Sequence, residues 1–163
     1  MSELIRLVYA SRAAFAPAPV QQGVEPSVGR ILMQSRKNNT EANIGGVLYF
    51  GDGYFFQALE GDRVAVNRTY QRITADSRHS EVTILSLKTV PKRLFADWSM
   101  KYVPAEEAVR QFIRARSYQR FEPLKFQEEE AEALVALFQQ QGDVGGQVQK
   151  TGFGPLWLRR LFG

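Results

Sequence analysis

The sequence predicts one α+β domain, a sheet with two helices on one face and further helices over the other. Strand-like apolar segments alternate with segments of helical period, and an Asp-Gly turn joins the second and third strands. A chain of 163 residues is also long enough to bury about 68–70% of its unfolded surface. The predicted order β-α-β-β-α-β-β is that of a ferredoxin-like sandwich with an added fifth strand.

The first strand and first helix follow from their apolar spacing. Residues 4–10 are apolar at nearly every position, and strand alternation places Ile5, Leu7 and Tyr9 on one face. After a loop rich in Ala, Pro and Gln over residues 12–26, the first helix begins at Glu25-Pro26-Ser27. Its inward stripe from Val28 ends in two carboxamides, with Ile31 on the neighbouring face. The inward stripe contains Val28, Leu32, Ser35 and Asn39. The neighbouring face contains Ile31, Ser35 and Asn38.

A hairpin forms the centre of the predicted sheet. Residues 44–50 and 54–59 are strands joined through Gly51-Asp52-Gly53, because Asp-Gly favours a two-residue turn. Gly45-Gly46 predicts a close approach by another group, or a bulge. On the second strand of the hairpin, Phe55, Gln57 and Leu59 share a face.

The second half of the domain is predicted in the same way. A second helix runs from the cap Asp62 to about Asp76, with an inward stripe and a neighbouring polar face. Residues 81–90 and 95–103 are the fourth and fifth strands, and residues 105–118 and 127–141 are helices that cap the open sheet face. Four groups are each expected to share a face: Val66, Tyr70 and Ile73; Ala65, Thr69, Arg72 and Asp76; Val82, Ile84 and Ser86; Trp98, Met100 and Tyr102.

Composition excludes several kinds of chemistry. With no cysteine, the chain has no disulfide, thiolate metal site or cysteine nucleophile, and His79 as the single histidine makes a metal cluster or a Ser-His-Asp triad improbable. No apolar run approaches the ~18 residues of a membrane span. The N-terminus lacks the features of a signal peptide, so we expect a cytoplasmic protein. A net charge of +4 and a pI near 9.5 permit contact with nucleic acid without requiring it.

Gln57 is the residue whose setting most needs an explanation. A carboxamide among Phe55, Phe56, Ala58 and Leu59 needs polar partners, since an unpaired buried amide costs about 1–3 kcal/mol. If the first and third strands are neighbours, Tyr9 lies on the same face. The helices add further polar side chains to one slot: Asn38, Asn39, Arg72 and Asp76. Such a set suits a flat ring with amide-like edges.

Six motifs over residues 3–104 resemble, in order and spacing, those of the BLUF family of flavin-using blue-light sensors. They are Leu7-Val8-Tyr9-Ala10-Ser11; Asn38-Asn39; Gly46-Val47-Leu48-Tyr49-Phe50; Phe55-Phe56-Gln57-Ala58-Leu59-Glu60-Gly61; Asp76-Ser77-Arg78-His79-Ser80; and Phe95-Ala96-Asp97-Trp98-Ser99-Met100. The loop over residues 12–26 is longer than is usual in the family. The resemblance implies a flavin between the two helices.

The resemblance also implies roles for individual residues. Tyr9 would donate an electron and a proton to the photoexcited ring, and Gln57 would bridge the Tyr9 hydroxyl and the flavin and then rotate or tautomerise. Trp98 and Met100 lie on the strand thought to transmit the signal. The remaining residues implied to contact the flavin or its surroundings are Ser11, Ile31, Asn38, Asn39, Arg72, Asp76, Arg78 and His79.

The resemblance implies a photosensor rather than an enzyme. FAD is the expected cofactor, with FMN or riboflavin possible, and the expected partners are a second copy of the chain and a downstream protein. Residues 1–104 would form the sensor domain, residues 105–141 a helical extension and residues 142–163 a flexible tail. The tail ends in an aromatic and basic stretch that suits partner contact, or an amphipathic contact with a membrane surface.

Two other functions fit the same topology. An RNA-binding module of the RRM type carries aromatic residues on its third strand, and Gly53-Tyr54-Phe55-Phe56 faintly resembles that motif. The expected basic residue before the glycine is Asp52, however. An acylphosphatase-like hydrolase uses an arginine and an asparagine. Neither explains Gln57 among aromatic residues beside Tyr9.

Overall fold

The computed structural model describes residues 3–17 and 25–141, and their fold is the predicted α+β sandwich. Five strands form one sheet in the order β4-β1-β3-β2-β5. They are β1 Leu4–Ala13, β2 Gly45–Gly51, β3 Tyr54–Asp62, β4 His79–Thr89 and β5 Lys101–Tyr102. Neighbouring strands are antiparallel except β2 and β5, which are parallel. The predictions for residues 18–24 and 142–163 lie outside the described residues.

Helices α1 (Pro26–Ala42) and α2 (Arg63–Ala75) cover one face of the sheet. The Glu25 carboxylate accepts a hydrogen bond of 2.9 Å from the backbone N–H of Val28, so it caps the start of α1. Asp62 caps α2 in the same way through the N–H of Val64 at 3.2 Å. The core between helices and sheet contains the predicted inward residues: Ile5, Leu7, Tyr9, Val28, Ile31, Leu32, Phe55, Leu59 and Val66, with Tyr70 and Ile73 packed against them.

Helices α3 (Glu106–Ala115) and α4 (Glu128–Gln140) cover the opposite face, with a 3-10 turn Pro123–Lys125 between them. Tyr49 and Phe56, which point to this side of the sheet, pack against Phe138 at ring-centroid distances of 5.3 and 5.9 Å. The predicted capping of the open face by the C-terminal helices is therefore confirmed.

The β2–β3 hairpin turns at Asp52 and Gly53, whose φ angles are 52° and 81°. Two successive residues with positive φ match the right-handed twist of a tight hairpin, which is why Asp-Gly is preferred there. The predicted close approach at the start of β2 is also present. A Cβ on Gly45 would lie 2.5 Å from the carbonyl oxygen of Phe95.

The predicted common face of Val82, Ile84 and Ser86 on β4 is wrong because the strand contains a bulge. Ser86 pairs with Val8 and Ile84 with Tyr9, so Leu85 is an extra residue. Beyond the bulge the alternation is reversed. Ser86 is buried on the side of α4, while Ile84, on the side of α2, is 44% exposed.

The predicted fifth strand over residues 95–103 is wrong in extent, since β5 comprises Lys101–Tyr102 alone. Upstream of it, hydrogen bonds outside the sheet occupy the backbone. The buried Glu60 carboxylate accepts from the N–H groups of Leu94 and Phe95 at 2.9–3.1 Å. A turn bonds the N–H of Trp98 to the carbonyl of Phe95 at 3.1 Å. These donors are therefore not available for a longer ladder.

Among the helices of the described residues, none is both long enough and apolar enough to cross a bilayer.

We expect Gly45→Ala to lower the free energy of unfolding by about 1–3 kcal/mol, because the added methyl group would overlap the Phe95 carbonyl. Chemical denaturation of the purified protein measures this change. Gly53→Asn is the matched control: open space surrounds Gly53, and asparagine tolerates its positive φ. A loss of stability at Gly53 as large as that at Gly45 would contradict the steric explanation.

Candidate functional site

A cavity of about 140 Å³ lies between α1 and α2, above the centres of β1 and β3. Its walls combine uncharged polar groups with charged groups. Its lining residues are Tyr9, Ile31, Gln34, Ser35, Asn38, Asn39, Gln57, Thr69, Arg72, Ile73, Asp76, Arg78 and His79. Tyr9, Gln57 and Asn39 are buried, whereas Gln34 and Arg72 are exposed. The cavity therefore has a neutral, dry end and a charged end open to water.

Tyr9 and Gln57 share the predicted face, and they stand directly opposite each other in the antiparallel β1–β3 pair. The Tyr9 hydroxyl donates a hydrogen bond to Gln57 Oε1. The other end of the carboxamide, Nε2, lies 3.5 Å from the sulfur of Met100. A thioether is a weak acceptor, so the Gln57 amide has one strong partner and one weak partner in the described part of the chain.

Burial governs the protonation of Tyr9, which is 1% exposed. Loss of solvation, with smaller contributions from Tyr70 and Asp76, raises the pKa of Tyr9 far above its usual range. The side chain is therefore a neutral phenol at any physiological pH. It holds a proton that can leave only together with an electron or toward a strong acceptor.

Asn38 and Asn39 both line the cavity, at the end of the inward stripe of α1. Asn39 is buried, and its Nδ2 donates a hydrogen bond of 2.7 Å to the carbonyl of Ser99. This bond fixes the orientation of the amide and ties α1 to the segment that carries Met100. Arg36 adds a second tie, from Nε to the Met100 carbonyl at 2.8 Å.

His79 closes the cavity beside Tyr9, with its ring 4.6 Å from that of Phe55. Burial lowers the pKa of His79 to about 4, although the carboxylate of Asp76 opposes the shift. The ring is thus neutral near pH 7. Its Nδ1 shares a hydrogen bond of 2.8 Å with the hydroxyl of Ser11. Ser11 itself is not among the residues that line the cavity.

Charged groups gather where α2 ends. The Nη2 of Arg78 donates a hydrogen bond of 2.6 Å to Oδ2 of Asp76. It also donates one of 2.7 Å to Oε1 of Gln34 on α1. The guanidinium of Arg78 lowers the pKa of Asp76. The partner of Asp76 is therefore Arg78, not Arg72, which the sequence places on the same helix face. Arg78 bridges α1 and α2 across the rim.

Trp98 and Met100 point to opposite faces of the sheet, so the predicted grouping of Trp98, Met100 and Tyr102 is wrong. Met100 and Tyr102 belong to the core on the side of α1 and α2. Trp98 packs against the core on the side of α3 and α4. The turn from Phe95 to Trp98 breaks the strand alternation on which the prediction depended.

The structure brings together nine of the ten residues that the resemblance placed around the flavin; Ser11 is the exception. Sequence reasoning did not assign four other lining residues to the site: Gln34, Ser35, Thr69 and Ile73. Their spacing from the assigned residues along the helices could have identified them. Gln34 lies four residues before Asn38 and Thr69 three residues before Arg72, which places each pair on one helix face.

The arrangement suits a flat heterocycle held between the two helices. Amide and hydroxyl groups are available for ring edges at the buried end, and guanidinium groups for anionic substituents at the rim. The donor set therefore fits a flavin, whose ring carries adjacent carbonyl and N–H groups.

Comparison with known protein families identifies the family of this chain. The family model described as BLUF, sensors of blue-light using FAD, matches residues 4–101. The chain therefore belongs to the BLUF family of flavin-binding blue-light sensors.

Curated relatives match over this region. A photoactivated adenylate cyclase subunit beta-like protein of Euglena gracilis is 36% identical over 73 residues, which are 44% of this chain and 8% of that protein. The blue light- and temperature-regulated antirepressor BluF of Escherichia coli is 31% identical over 67 residues, 41% of this chain and 17% of that one. The chain thus matches less than a fifth of the length of either relative.

Solved structures match over more of their length. The ground state of BlsA superimposes with a TM-score of 0.77 at 28% identity, covering 91% of this chain and 97% of that one. The dark state of the BLUF protein BlrB gives a TM-score of 0.65 at 29% identity, covering 84% and 98% of the two chains.

We expect His79 to make the protein less stable in acid. Between about pH 6.5 and about pH 4 the unfolded chain binds a proton at His79 that the folded chain does not, so stability falls as the pH falls. From about pH 7.5 to about pH 4.5 the wild type should lose about 2–3 kcal/mol more than His79→Gln, which does not titrate. Urea denaturation at both pH values checks this. An equal loss in the two proteins would show that His79 is not buried in the neutral form.

Proposed function

We propose that this chain is a blue-light photoreceptor in which Tyr9 and Gln57 perform the primary reaction beside a non-covalently bound flavin. One observation carries the proposal. The Tyr9 hydroxyl, the Gln57 carboxamide and the Met100 sulfur form one buried row of hydrogen bonds along the floor of the cavity. Family membership supports the assignment of the ring, and the row of side chains supports the chemistry.

Individual residues have distinct proposed roles in holding the flavin. Asn39 and Asn38 bind the amide edge of the ring, and Ile31 packs against its face. Arg72, Asp76, Arg78 and His79 surround the ring or the rim of the slot. Ser11 acts indirectly, because its hydroxyl fixes the His79 ring. FAD is the proposed form, and the exposed Arg72 at the rim suits a phosphate of a flavin nucleotide.

Tyr9 is the proposed electron and proton donor. On absorbing blue light, a bound flavin supplies a strong one-electron oxidant. Oxidation of a phenol lowers its affinity for the proton sharply. Both the electron and the proton would pass to the flavin, and Gln57 Oε1 already accepts the hydrogen bond through which the proton would leave Tyr9. Return of the electron and the proton restores Tyr9, so the cycle consumes no substrate. The protein is therefore proposed to signal rather than to turn over a substrate.

Gln57 is the proposed switch because the oxygen and the nitrogen of its carboxamide differ in chemistry and are nearly equal in shape. Rotation about the terminal bond, or tautomerisation, exchanges a donor for an acceptor at both ends. Among the residues that the structure describes, the partner of Nε2 is a thioether, so little free energy opposes the exchange at that end. A changed hydrogen bond to a flavin carbonyl shifts the absorption to the red and biases the position of Met100.

An RNA-binding function is not favoured. A module of the RRM type binds RNA on an open sheet face through aromatic side chains. Here α3 and α4 cover that face, and Tyr49 and Phe56 are buried against Phe138. A hydrolase of the acylphosphatase type likewise leaves the buried row of Tyr9, Gln57 and Met100 without a role.

The proposed output is a change in protein contacts. We propose a homo-oligomer in the cytoplasm that exchanges with a downstream protein, with residues 1–104 as sensor and residues 105–141 as helical extension.

The purified protein should be yellow, and illumination should give a small reversible red shift. Tyr9→Phe and Gln57→Ala should each retain flavin and lose the red shift, because each removes one member of the row of hydrogen bonds. Tyr70→Phe is the matched control, since its ring contacts Tyr9 edge-on at 5.7 Å without entering that row. Absorption spectra in the dark and under blue light measure all four proteins.

A colourless protein that takes up no flavin would contradict the photoreceptor proposal. A normal red shift in Tyr9→Phe or Gln57→Ala would contradict the proposed roles of these residues and leave flavin binding intact.

Light should also change the assembly. Size-exclusion chromatography with light scattering should show an oligomer whose mass, or whose association with a protein from cell extract, differs between dark and blue light. The variant Gln57→Ala should show the same elution in both conditions, because its switch is absent. A monomer with identical elution in dark and light, with and without extract, would contradict the proposed output.

A further inference from the structure

Lys101 is a charged residue that is almost completely buried, at 4% exposure. It follows Met100 directly and forms half of the two-residue strand β5. Its Nζ donates hydrogen bonds to the carbonyls of Phe138 and Gln139 at 3.0 and 3.1 Å. These carbonyls belong to the last turn of α4, where carbonyls lack the regular intrahelical donor; that of Phe138 also accepts the backbone N–H of Gln141 at 3.3 Å. Lys101 therefore satisfies the C-terminal end of α4 with a positive charge, which the helix dipole favours.

The peptide unit between Met100 and Lys101 joins the two faces of the sheet. Successive side chains of a strand point to opposite sides. Met100 contacts Gln57 on the side of the cavity, and Lys101 contacts α4 on the other side. A displacement of the Met100 backbone therefore also displaces the group that holds the end of α4. The centroid of the Trp98 ring lies 5.4 Å from the same Nζ, so Trp98 packs beside the ammonium group of Lys101.

The other end of α4 is fixed to a different part of the sheet. Glu132 accepts hydrogen bonds from Arg6 on β1 at 2.7 and 3.1 Å and lies 3.3 Å from Lys88 on β4. Arg6 also pairs with the buried Glu60 at 2.9 Å. Strand β4 is the edge of the sheet opposite to β5, and β1 is the strand beside β4. Helix α4 is thus anchored to β1 and β4 near its start and to β5 near its end.

The strand β5 has the shortest ladder in the sheet. It is an edge strand, and only Val47↔Lys101 and Leu48↔Tyr102 are paired in its parallel ladder with β2. Short edge segments with few backbone bonds open and slide at low free energy. By contrast, nine residue pairs join β1 to β3, from Leu4↔Asp62 to Arg12↔Tyr54.

We propose that Lys101 is the positioning residue that couples the Gln57–Met100 contact to the C-terminal turn of α4, and that this turn is the light-dependent output surface. The proposal rests on the proposed function above. When the Gln57 amide exchanges its ends, the partner of Met100 changes, β5 moves, and the bonds from Lys101 to the Phe138 and Gln139 carbonyls change with it. The start of α4, held by Arg6, stays in place.

Hydrogen–deuterium exchange of the flavin-loaded full chain, in the dark and under blue light, tests the coupling. In the wild type, illumination should change exchange in the last turn of α4, residues 137–141, by roughly tenfold, the factor that corresponds to losing one charge-assisted hydrogen bond. Residues 128–132 should change little. Lys101→Met should retain flavin and the red shift and lose the light-dependent difference at residues 137–141. Lys101→Arg, which keeps the charge and the donors, should restore it.

Lys88→Met is the matched control, because Lys88 also contacts α4, through Glu132, but lies on β4 away from Met100. It should keep both the red shift and the exchange difference. A wild-type difference of equal size at both ends of α4, or none, would overturn the coupling even if Lys101→Met fails to fold. So would a full difference in Lys101→Met. A wild type that binds flavin and shows no red shift would instead overturn the proposed function, and the coupling with it.

Discussion

The hydrogen bond from the Tyr9 hydroxyl to Gln57 is the interaction on which the site depends, and the backbone register of β1 and β3 creates it. These residues are direct partners in the antiparallel pair. A slip of one residue would move every side chain of one strand to the other face and place Gln57 on the side of α4. The fully buried aliphatic and aromatic neighbours on both strands make such a slip costly. Packing of the core therefore fixes the geometry of the chemistry.

Burial keeps one end of the site neutral and leaves the charged groups at the rim, which suits the family's flavin chemistry. Loss of solvation raises the pKa of Tyr9 and lowers that of His79, so both are neutral near pH 7. The charged side chains Asp76 and Arg78 lie at the rim, where water and their own pairing stabilise them. The buried end can thus exchange hydrogen bonds without creating net charge in a dry environment.

The sequence predicted most of the fold because long periodic segments bury one face each. Both strands of the hairpin, the start of α1 at Glu25-Pro26-Ser27, the cap Asp62 and the two helical layers were identified from local patterns. The predictions failed at β4 and before β5. A bulge at Leu85 reverses alternation, and the buried Glu60 carboxylate captures backbone donors of Leu94 and Phe95. Neither event has a local signal, because each depends on a partner distant in the chain.

The sequence by itself determined which residues are available to the site and which family the chain resembles. Strand and helix periods placed Tyr9, Gln57 and Asn39 on inward faces, and the order of the motifs indicated the BLUF family. Only the tertiary structure decided that Met100, rather than Trp98, contacts Gln57, and that Ser11 supports His79 from outside the cavity. It also placed Lys101 between Met100 and the end of α4. These pairings depend on turns and on contacts between distant segments, whose geometry no periodic pattern contains.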